Sequence, residues 1–304
     1  MTIDGRHISE WGLRVAEGCL SDWFKLPRRK SVSYNNWAES HGIDPDLSVV
    51  EWEETSIKLS FIMSGDNPSL YMERFRSLIK TLTEKGSRVI SYLGITRTLY
   101  YDQGNGYEGT PIIEQRGAWA ILSLTMKEEE PEIVKASPTY AMNPKGQYAI
   151  NGIDLAGFGI GGEQEDEDLW KYPGMKTPFT DGETYDLSAY ISKHKEIRLS
   201  LWWVCKNTGL FLQNRKALLW QLSRPNALSL YAKSIGGSTY AYYTGCSSFE
   251  ANMYGNKVGV RMTMGFTVPI VEWIEAGGIV KYKVLMDSEL GLLADENGNL
   301  VVFN

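Results

Sequence analysis

The sequence predicts a mainly β (α+β) fold: two tandem β-sandwich or barrel-like domains, each with one flanking helix, and a small C-terminal hairpin. Three observations predict this architecture. Tryptophan and tyrosine are frequent (10 and 17 of 304 residues) and accompany 30 glycines, a composition typical of strands and turns. The chain also aligns with itself over most of its length. Each aligned half contains one clear helical pattern.

Composition and charge exclude several classes of protein. With 43% hydrophobic and 22% charged residues, the chain is not mostly disordered, and a formal net charge of −6 argues against sequence-specific nucleic-acid binding. The N-terminus lacks the apolar core of a signal peptide, and no apolar stretch approaches the ~20 residues of a membrane helix. Cys19, Cys205 and Cys246 are too scattered for a disulfide framework or a zinc site, so we expect synthesis in a reducing cytoplasm and no membrane partner.

The self-alignment is a collinear series of matches with small changes of offset. Residues 3–5 (Ile-Asp-Gly) match residues 150–152 (Ile-Asn-Gly) at an offset of 147. The offset is 146 at Pro27–Lys30, and six extra residues around Tyr34–Trp37 then reduce it to 140, where residues 57–60 match 197–200. Tyr100 and Tyr101 match Tyr242 and Tyr243 at 142, and so do Leu124-Thr125 and Phe266-Thr267. Such a series indicates a tandem duplication.

The duplication predicts where the domains begin and end. Residues 1–127 form the first copy and residues 148–269 the second. The connector, residues 128–147, contains Pro131, Pro138 and Pro144 and is expected to be a linker. Residues 270–304 form a C-terminal extension, in which an Asn-Gly turn at 297–298 lies between two short apolar runs and predicts the hairpin.

Within each copy the pattern runs from strands to one helix and back to strands. Apolar side chains at helical spacing predict helices over 69–85 and 209–223, with Asn67-Pro68 as a start signal and Pro225 as a stop. Alternating segments predict strands at 53–63, 89–93, 98–101, 118–126, 199–205, 228–232, 239–243 and 258–268. Segments 102–117 and 244–255, rich in glycine and polar residues, are expected to be loops that serve assembly or line a channel.

No pattern of catalytic, metal-binding or cofactor-binding residues emerges, so the sequence predicts a protein that is not an enzyme. His7, His41 and His194 have no ligand or triad spacing. Residues 157–162 satisfy GxGxxG, but an anionic run at 163–168 follows, and this run would repel a pyrophosphate. That run is interpreted as a solvated loop rather than a cation site, and Asp295-Glu296-Asn297-Gly298 as a turn rather than a calcium loop.

Several short motifs together resemble one known family. Ile3-Asp4-Gly5, Trp11-Gly12-Leu13, the Pro27–Lys30 segment and Gly42-x-Asp44, followed by a β-helix-β core, are similar to the distal tail (Dit) proteins of tailed phages. The resemblance extends to the tail-tube-like fold and covers most of residues 1–126 and, more weakly, 148–268. Single-copy distal tail proteins lack the tandem duplication.

The resemblance implies a structural component of a phage or prophage tail, made in the bacterial host cytoplasm and located in the virion tail. It implies self-association into a ring around the tail channel that connects tube to baseplate, with tube, hub and baseplate proteins as partners. A trimer with pseudo-sixfold symmetry and a hexamer both satisfy that expectation.

A carbohydrate-binding protein is the alternative. The adjacent Trp202 and Trp203 and the cluster Tyr240–Tyr243 would then stack on sugar rings. In strands, however, alternating aromatic residues more often belong to a core or to a subunit interface.

Overall fold

The computed structural model describes most of the chain. The described residues are 1–16, 19–37, 40–104, 107–114, 117–139, 146–162, 169, 171, 173–174, 176, 179–180, 184–185 and 191–270, together with five short strands beyond residue 270.

The first half folds into a curled antiparallel sheet with strand order β2-β1-β7-β8-β11-β6-β3, and β9 and β10 also pair with β11. Its elements are β1 (Thr2–Ile3), β2 (Arg6–His7), β3 (Leu13–Val15), α1 (Cys19–Phe24), β4 (Tyr34–Asn35), β5 (Asp44–Pro45), β6 (Thr55–Gly65), α2 (Pro68–Thr83), β7 (Arg88–Tyr92), β8 (Ile95–Tyr101), β9 (Tyr107–Glu108), β10 (Ile112–Glu114) and β11 (Gly117–Glu128).

The second half forms a sheet with the order β13-β12-β18-β19-β20-β17-β14, which repeats the first order strand for strand. Its elements are β12 (Tyr148–Ile150), β13 (Ile153–Asp154), β14 (Ile160–Gly162), β15 (Phe179–Thr180), β16 (Thr184–Tyr185), β17 (Lys195–Cys205), α3 (Thr208–Leu222), β18 (Leu228–Ala232), β19 (Gly237–Tyr254) and β20 (Lys257–Val268). The predicted mainly β class, with a helix beside each sheet, is confirmed.

Short strands follow the second sheet. β21 (Trp273–Glu275) pairs with β19 and with β22 (Val280–Tyr282), while β23 (Leu285–Met286), β24 (Leu293–Ala294) and β25 (Leu300–Val301) form a separate sheet. β24 and β25 are antiparallel, so the predicted hairpin is confirmed, although its turn lies outside the described residues.

The same tight turn opens both halves. Asp4-Gly5 and Asn151-Gly152 adopt left-handed backbone conformations, with φ of 49° and 79° in the first turn and 52° and 75° in the second. The Asp4 carboxylate accepts a hydrogen bond from Val89 N (2.7 Å), and the Asn151 amide oxygen accepts one from Ser229 N (3.1 Å). These Asp-Gly and Asn-Gly pairs are therefore hairpin turns tied to the neighbouring strand.

The two long helices begin at equivalent caps. The Asn67 side chain accepts from Leu70 N (2.8 Å) and the Asn207 side chain from Leu210 N (2.9 Å), which satisfies one free N–H in each first turn. The predicted helices are confirmed to within two residues at each end. Helix α1 was not predicted, because its six residues are too few for a helical period to show.

The last strand of each half aligns differently from the sequence match. Met126 lies opposite Ile57, and Phe266 lies opposite Ile197, so β11 and β20 correspond at an offset of 140. The predicted match of Leu124-Thr125 with Phe266-Thr267 is therefore wrong by two residues. A shift of two leaves every side chain on the same face, so the alternating pattern could not reveal it.

The offset between the two halves rises from 140 to 142 because the second half has two additional residues in one hairpin. Tyr92 pairs with Ile95 across a two-residue turn in the first half, whereas Ala232 pairs with Gly237 across four residues in the second. Tyr101 and Tyr243 remain equivalent at 142, since they pair with Met126 and Phe266, respectively.

The two predicted loops differ in the structure. Segment 102–117 contains β9 and β10, and residues 105, 106, 115 and 116 lie outside the described residues. Segment 244–255 is almost entirely strand, because β19 continues to Tyr254 with register shifts after Tyr243 and Ser247. The loop prediction for 244–255 is therefore wrong: bulges let glycine and polar residues stay in the ladder.

One contiguous hydrophobic core spans both halves. Alternate residues of β6 and β17 point inward and are fully buried, and they pack on α2 and α3. The cluster includes Ile57, Leu59, Phe61, Met63, Ile197, Leu199, Leu201, Trp203, Leu78 and Leu218. Because buried side chains of both sheets belong to the same cluster, the contact between the halves is itself part of the core.

Candidate functional site

The most elaborate polar and aromatic arrangement lies where the first half meets the second. Residues 24–30 begin at the last residue of α1 and connect this helix to the segment before β6; we call them the first strap. Their backbone is fixed by hydrogen bonds from Glu53 N to Arg28 O (2.8 Å) and from Lys30 N to Glu51 O (2.9 Å). The first strap is thus held as an extended edge of its own half.

The first strap lies across α3 and β19 of the second half. The hydroxyl of Tyr243 donates to Pro27 O (3.1 Å), and Arg29 N donates to Thr244 O (3.1 Å). The Phe24 ring meets Phe211 of α3 edge-on, with centroids 4.8 Å apart. Burial raises the pKa of Tyr243 well above its ordinary value, so this hydroxyl stays a hydrogen-bond donor.

Two arginines bind carbonyl oxygens at the end of α1. Arg215 of α3 donates through Nε to Phe24 O (2.9 Å) and through Nη2 to Lys25 O (2.8 Å), and Arg97 of β8 donates to Trp23 O (2.7 Å). The last carbonyls of a helix have no partner within the helix, so cationic donors suit them well. Helix α1 is thereby fixed from both halves at once.

The charge at this junction is only partly neutralised. Arg97 is paired with the buried carboxylate of Glu128. Burial, reinforced by the positive charge of Arg97, lowers the pKa of Arg215 to about 9. Because both groups are buried, the geometry of the junction depends on keeping every one of these hydrogen bonds.

A strap anchored in the same way is present in the second half. Lys176 N donates to Ile191 O (2.7 Å) and Lys193 N donates to Gly174 O (2.6 Å), which repeats the anchoring of residues 28–30. We call residues 173–176 the second strap; residue 175 lies outside the described residues. The Lys176 ammonium donates to Trp37 O and Ser40 O of the first half.

An apolar surface lies on the outer face of the first sheet. Ile121 lies opposite Ile62, and Trp119 lies opposite Ile112, so these four side chains are cross-strand neighbours. All four are more than 40% exposed. An exposed cluster of this kind is typical of a surface that meets another protein.

A groove of about 580 Å³ runs between the first strap and strands β17, β19 and β20. Three of its cations are paired with carboxylates of the same chain: Arg28 with Glu53 (3.5 Å), Lys30 with Glu51 (3.2 Å) and Arg198 with Glu196 (3.9 Å). A fourth, Arg29, donates to Val49 O (3.1 Å) and lies over the Tyr242 ring. The groove is therefore a polar boundary between the first strap and the sheet of the second half.

The histidines occupy structural positions. His7 caps a short 3-10 helix, where its Nδ1 accepts from Ser9 N (3.3 Å). His41 Nδ1 accepts from Ser192 N (3.1 Å), which links the two halves, and His194 lies beside the Tyr34 ring at 6.3 Å. Within the described residues, no three histidine, cysteine or acidic side chains lie close enough to hold a metal ion.

The glycines of the GxGxxG segment have packing roles. Gly159 ends a 3-10 helix with φ of 86°, and a Cβ there would lie 2.7 Å from Val204 O. Gly161 lies in β14 beneath the Trp202 ring. The segment therefore leads into an edge strand rather than a phosphate-binding helix, and the acidic run at 163–168 and the turn at 295–298 lie outside the described residues.

The aromatic residues of the carbohydrate alternative are mostly core residues. Trp203 and Tyr243 are fully buried and Tyr242 is nearly so, which contradicts their use as sugar platforms. Trp202 and Tyr240 are 41% and 57% exposed. The Trp202 indole N–H already donates to Gly162 O (3.1 Å).

The cysteines are free thiols. Burial raises the pKa of Cys19 and Cys205, and it raises the pKa of Cys246 to about 12. Nucleophilic chemistry requires a thiolate, so none of the three is activated at neutral pH. Among the described helices, none is both long enough and apolar enough to span a membrane.

The sequence predicted no catalytic, cofactor-binding or metal-binding residue, and the junction was not predicted. One signal was present: the apolar residues of α3 are not confined to one face, and Phe211, Ala217, Leu218, Leu219 and Leu222 are buried. A helix of this kind is covered on more than one side, and Arg215 among these residues indicates a buried partner for its guanidinium. The partners, main-chain carbonyls of residues 24 and 25, carry no sequence signal.

Comparisons with known proteins find similarity among solved structures. Neither the scan against protein-family models nor the search of curated proteins finds a match. Among solved structures, the chain is similar to the Dit protein (gp 19.1) of phage SPP1, described as a paradigm of the hub adsorption apparatus in phages that infect Gram-positive bacteria. The identity is 11%, the match covers 88% of this chain and 97% of that chain, and the TM-score is 0.32.

Proposed function

We propose that this chain is a structural component of a phage or prophage tail: a distal-tail or hub-like ring protein that forms part of the tail channel and connects tube to baseplate. It is made in the bacterial host cytoplasm and located in the virion tail. Its partners are further copies of itself and the tube, hub and baseplate proteins. It acts by assembly and not as an enzyme.

A contact between different surfaces of two similar halves carries this proposal. The first strap packs on α3 and β19 of the second half, while both sheets have the same strand order. Contacts in which different surfaces of like units meet are heterologous, and repeating them produces rings when the rotation closes. The sequence resemblance to distal tail proteins agrees with this mode of assembly.

The proposed domains follow the duplication: residues 1–127, a linker over 128–147, residues 148–269 and the extension 270–304. Three chains would place six such domains around one ring, which gives a trimer with pseudo-sixfold symmetry. A hexamer that stacks the two copies in separate tiers is the alternative arrangement.

Mass measurement and electron microscopy test the proposal. We expect the purified chain, alone or with its tail neighbours, to form closed rings of three or six copies, and antibodies raised against it to label the distal end of the tail. A ring of five chains, an obligate twofold dimer or antibody label absent from virions would contradict the proposal.

Carbohydrate binding is a second candidate, favoured only by the exposed rings of Trp202 and Tyr240. A glycan array separates the two functions. Binding that is lost in Trp202→Ala and retained in the equally exposed Trp119→Ala would support carbohydrate recognition. If the protein binds no glycan on the array, carbohydrate binding is contradicted and the structural role in a tail remains.

A further inference from the structure

We infer that an open aromatic face on the first half receives the second strap of another copy of this chain. The open face consists of Phe75 on α2, Tyr101 on β8 and Tyr107 on β9. This inference rests on the proposed self-association and specifies the two surfaces that meet.

The strand registers show which residues of the first half correspond to the residues that the first strap covers in the second half. Arg215 occupies on α3 the place of Phe75 on α2, 140 positions earlier, as the two caps and strand pairs require. Tyr243 corresponds to Tyr101, because each pairs with the equivalent residue of the last strand. Cys246 pairs with Met264 and Tyr107 with Leu124, so these two positions also correspond.

The two faces differ in what covers them. In the second half, Tyr243 is fully buried and Arg215 is 9% exposed, because the first strap lies on them. In the first half, Phe75 and Tyr101 are half-buried, and Tyr107 is 48% exposed. Tyr107 packs edge-on against Phe75, with centroids 5.1 Å apart. The first-half equivalents of the covered Arg215 and Tyr243 are therefore aromatic and less buried.

The segment that binds the open face is inferred from the contact between the first strap and the second half of the same chain. The first strap and the second strap are anchored by the same pair of backbone hydrogen bonds. The first strap is occupied with the second half of its own chain. Repeating the same step places the second strap, with the exposed Gly174, on the open face of the next chain.

The chemistry of the open face suits such a contact. Tyrosine supplies a large apolar ring and one hydroxyl, and it is enriched among residues that dominate binding energy at interfaces. Burial already raises the pKa of Tyr101, so its hydroxyl is a donor throughout the neutral range, as a main-chain carbonyl requires.

Photo-crosslinking tests the inference directly. The variant Tyr107→p-benzoylphenylalanine in the full-length chain is expected to give covalent dimers whose cross-linked peptide contains residues 173–176. The matched control carries the same group in place of Tyr254, an aromatic residue that is 71% exposed at the β19–β20 turn. Equal dimer yields at both positions, or cross-links that map elsewhere, would overturn the docking site.

A charge variant provides an independent readout. We expect Tyr107→Glu to weaken assembly at least about tenfold in sedimentation or native mass measurements, because burying a carboxylate in an aromatic contact is costly. Tyr254→Glu is expected to change it less than about twofold. If the wild-type chain never assembles, the ring proposal and the docking site both fail. If rings form normally with Tyr107→Glu, only the docking site fails.

Discussion

At the scale of single residues, Gly12 and Gly159 show how strictly the two halves repeat. Each ends a 3-10 helix in a left-handed conformation, with φ of 67° and 86°. A Cβ would lie 2.3 Å from Ser64 O in the first case and 2.7 Å from Val204 O in the second. Neither carbonyl can retreat easily, since each belongs to a central strand.

Alanine at either glycine should therefore destabilise the fold. We expect Gly12→Ala and Gly159→Ala each to lower the free energy of unfolding by about 2 kcal/mol or more, from left-handed strain plus the clash. Gly255→Ala is the control, because its φ is 62° but no atom lies within 4 Å of the added carbon. Urea denaturation measures all three, and equal losses would contradict a role for the close contact.

Cys246 gives a prediction about reactivity and pH. Burial raises its pKa from 9.0 to about 12, so the folded state retains the thiol proton where the unfolded chain loses it. Its stabilising contribution is complete below pH 9 and is lost as the pH rises toward 12. We expect alkylation of Cys246 by iodoacetamide at pH 8 to be at least about tenfold slower in the native protein than in urea, followed by mass spectrometry. Equal rates would contradict the raised pKa.

At the scale of elements, the caps of α2 and α3 make a matched pair. Asn67 and Asn207 accept from the N–H three residues later at 2.8 and 2.9 Å. Asn67→Ala and Asn207→Ala should each lower the free energy of unfolding by about 1 kcal/mol, because each leaves a backbone donor without its partner. Asn252→Ala, on an exposed strand position, serves as the control. A cap variant as stable as this control would contradict the assigned role.

The sequence predicted elements better than it predicted their registers and contacts. Helix α2 was visible because its apolar periodicity follows an Asn67-Pro68 start, and α3 because its apolar periodicity ends before Pro225. The final offset was wrong because a two-residue slip preserves the inward face. Residues 244–255 were interpreted as a loop, since glycine and polar residues suit loops, whereas bulges keep them in β19.

The junction could not have been derived in the same way. Arg215 and Tyr243 bind carbonyl oxygens of residues about 190 and 216 positions away. Main-chain acceptors have no sequence pattern, so only the folded chain reveals this pairing. The apolar residues on several faces of α3 indicated that other parts of the protein cover this helix. They did not indicate that the first strap is one of those parts.

At the scale of the whole molecule, the shared core and the first strap couple the two halves. Because buried side chains of both sheets form one cluster, separating the halves would expose Phe24 and Phe211 together with the junction arginines. We expect a single cooperative unfolding transition, with tryptophan fluorescence and far-ultraviolet circular dichroism changing together in urea. Two separate transitions would contradict this coupling.

Arg215 is the residue on which that coupling should depend most. Arg215→Met keeps an apolar stem in the core but removes both donors to Phe24 O and Lys25 O, so buried carbonyls lose their partners. The substitution also removes the free-energy cost of burying a positive charge, since burial and Arg97 both disfavour the charged form of Arg215. This gain offsets part of the loss. The expected net loss is about 1–3 kcal/mol of unfolding free energy. Lys216→Met, at the next and exposed position of α3, should change stability by less than about 0.5 kcal/mol. If the two variants unfold at the same urea concentration, the halves are held together by apolar packing and not by the arginine that joins α3 to the first strap.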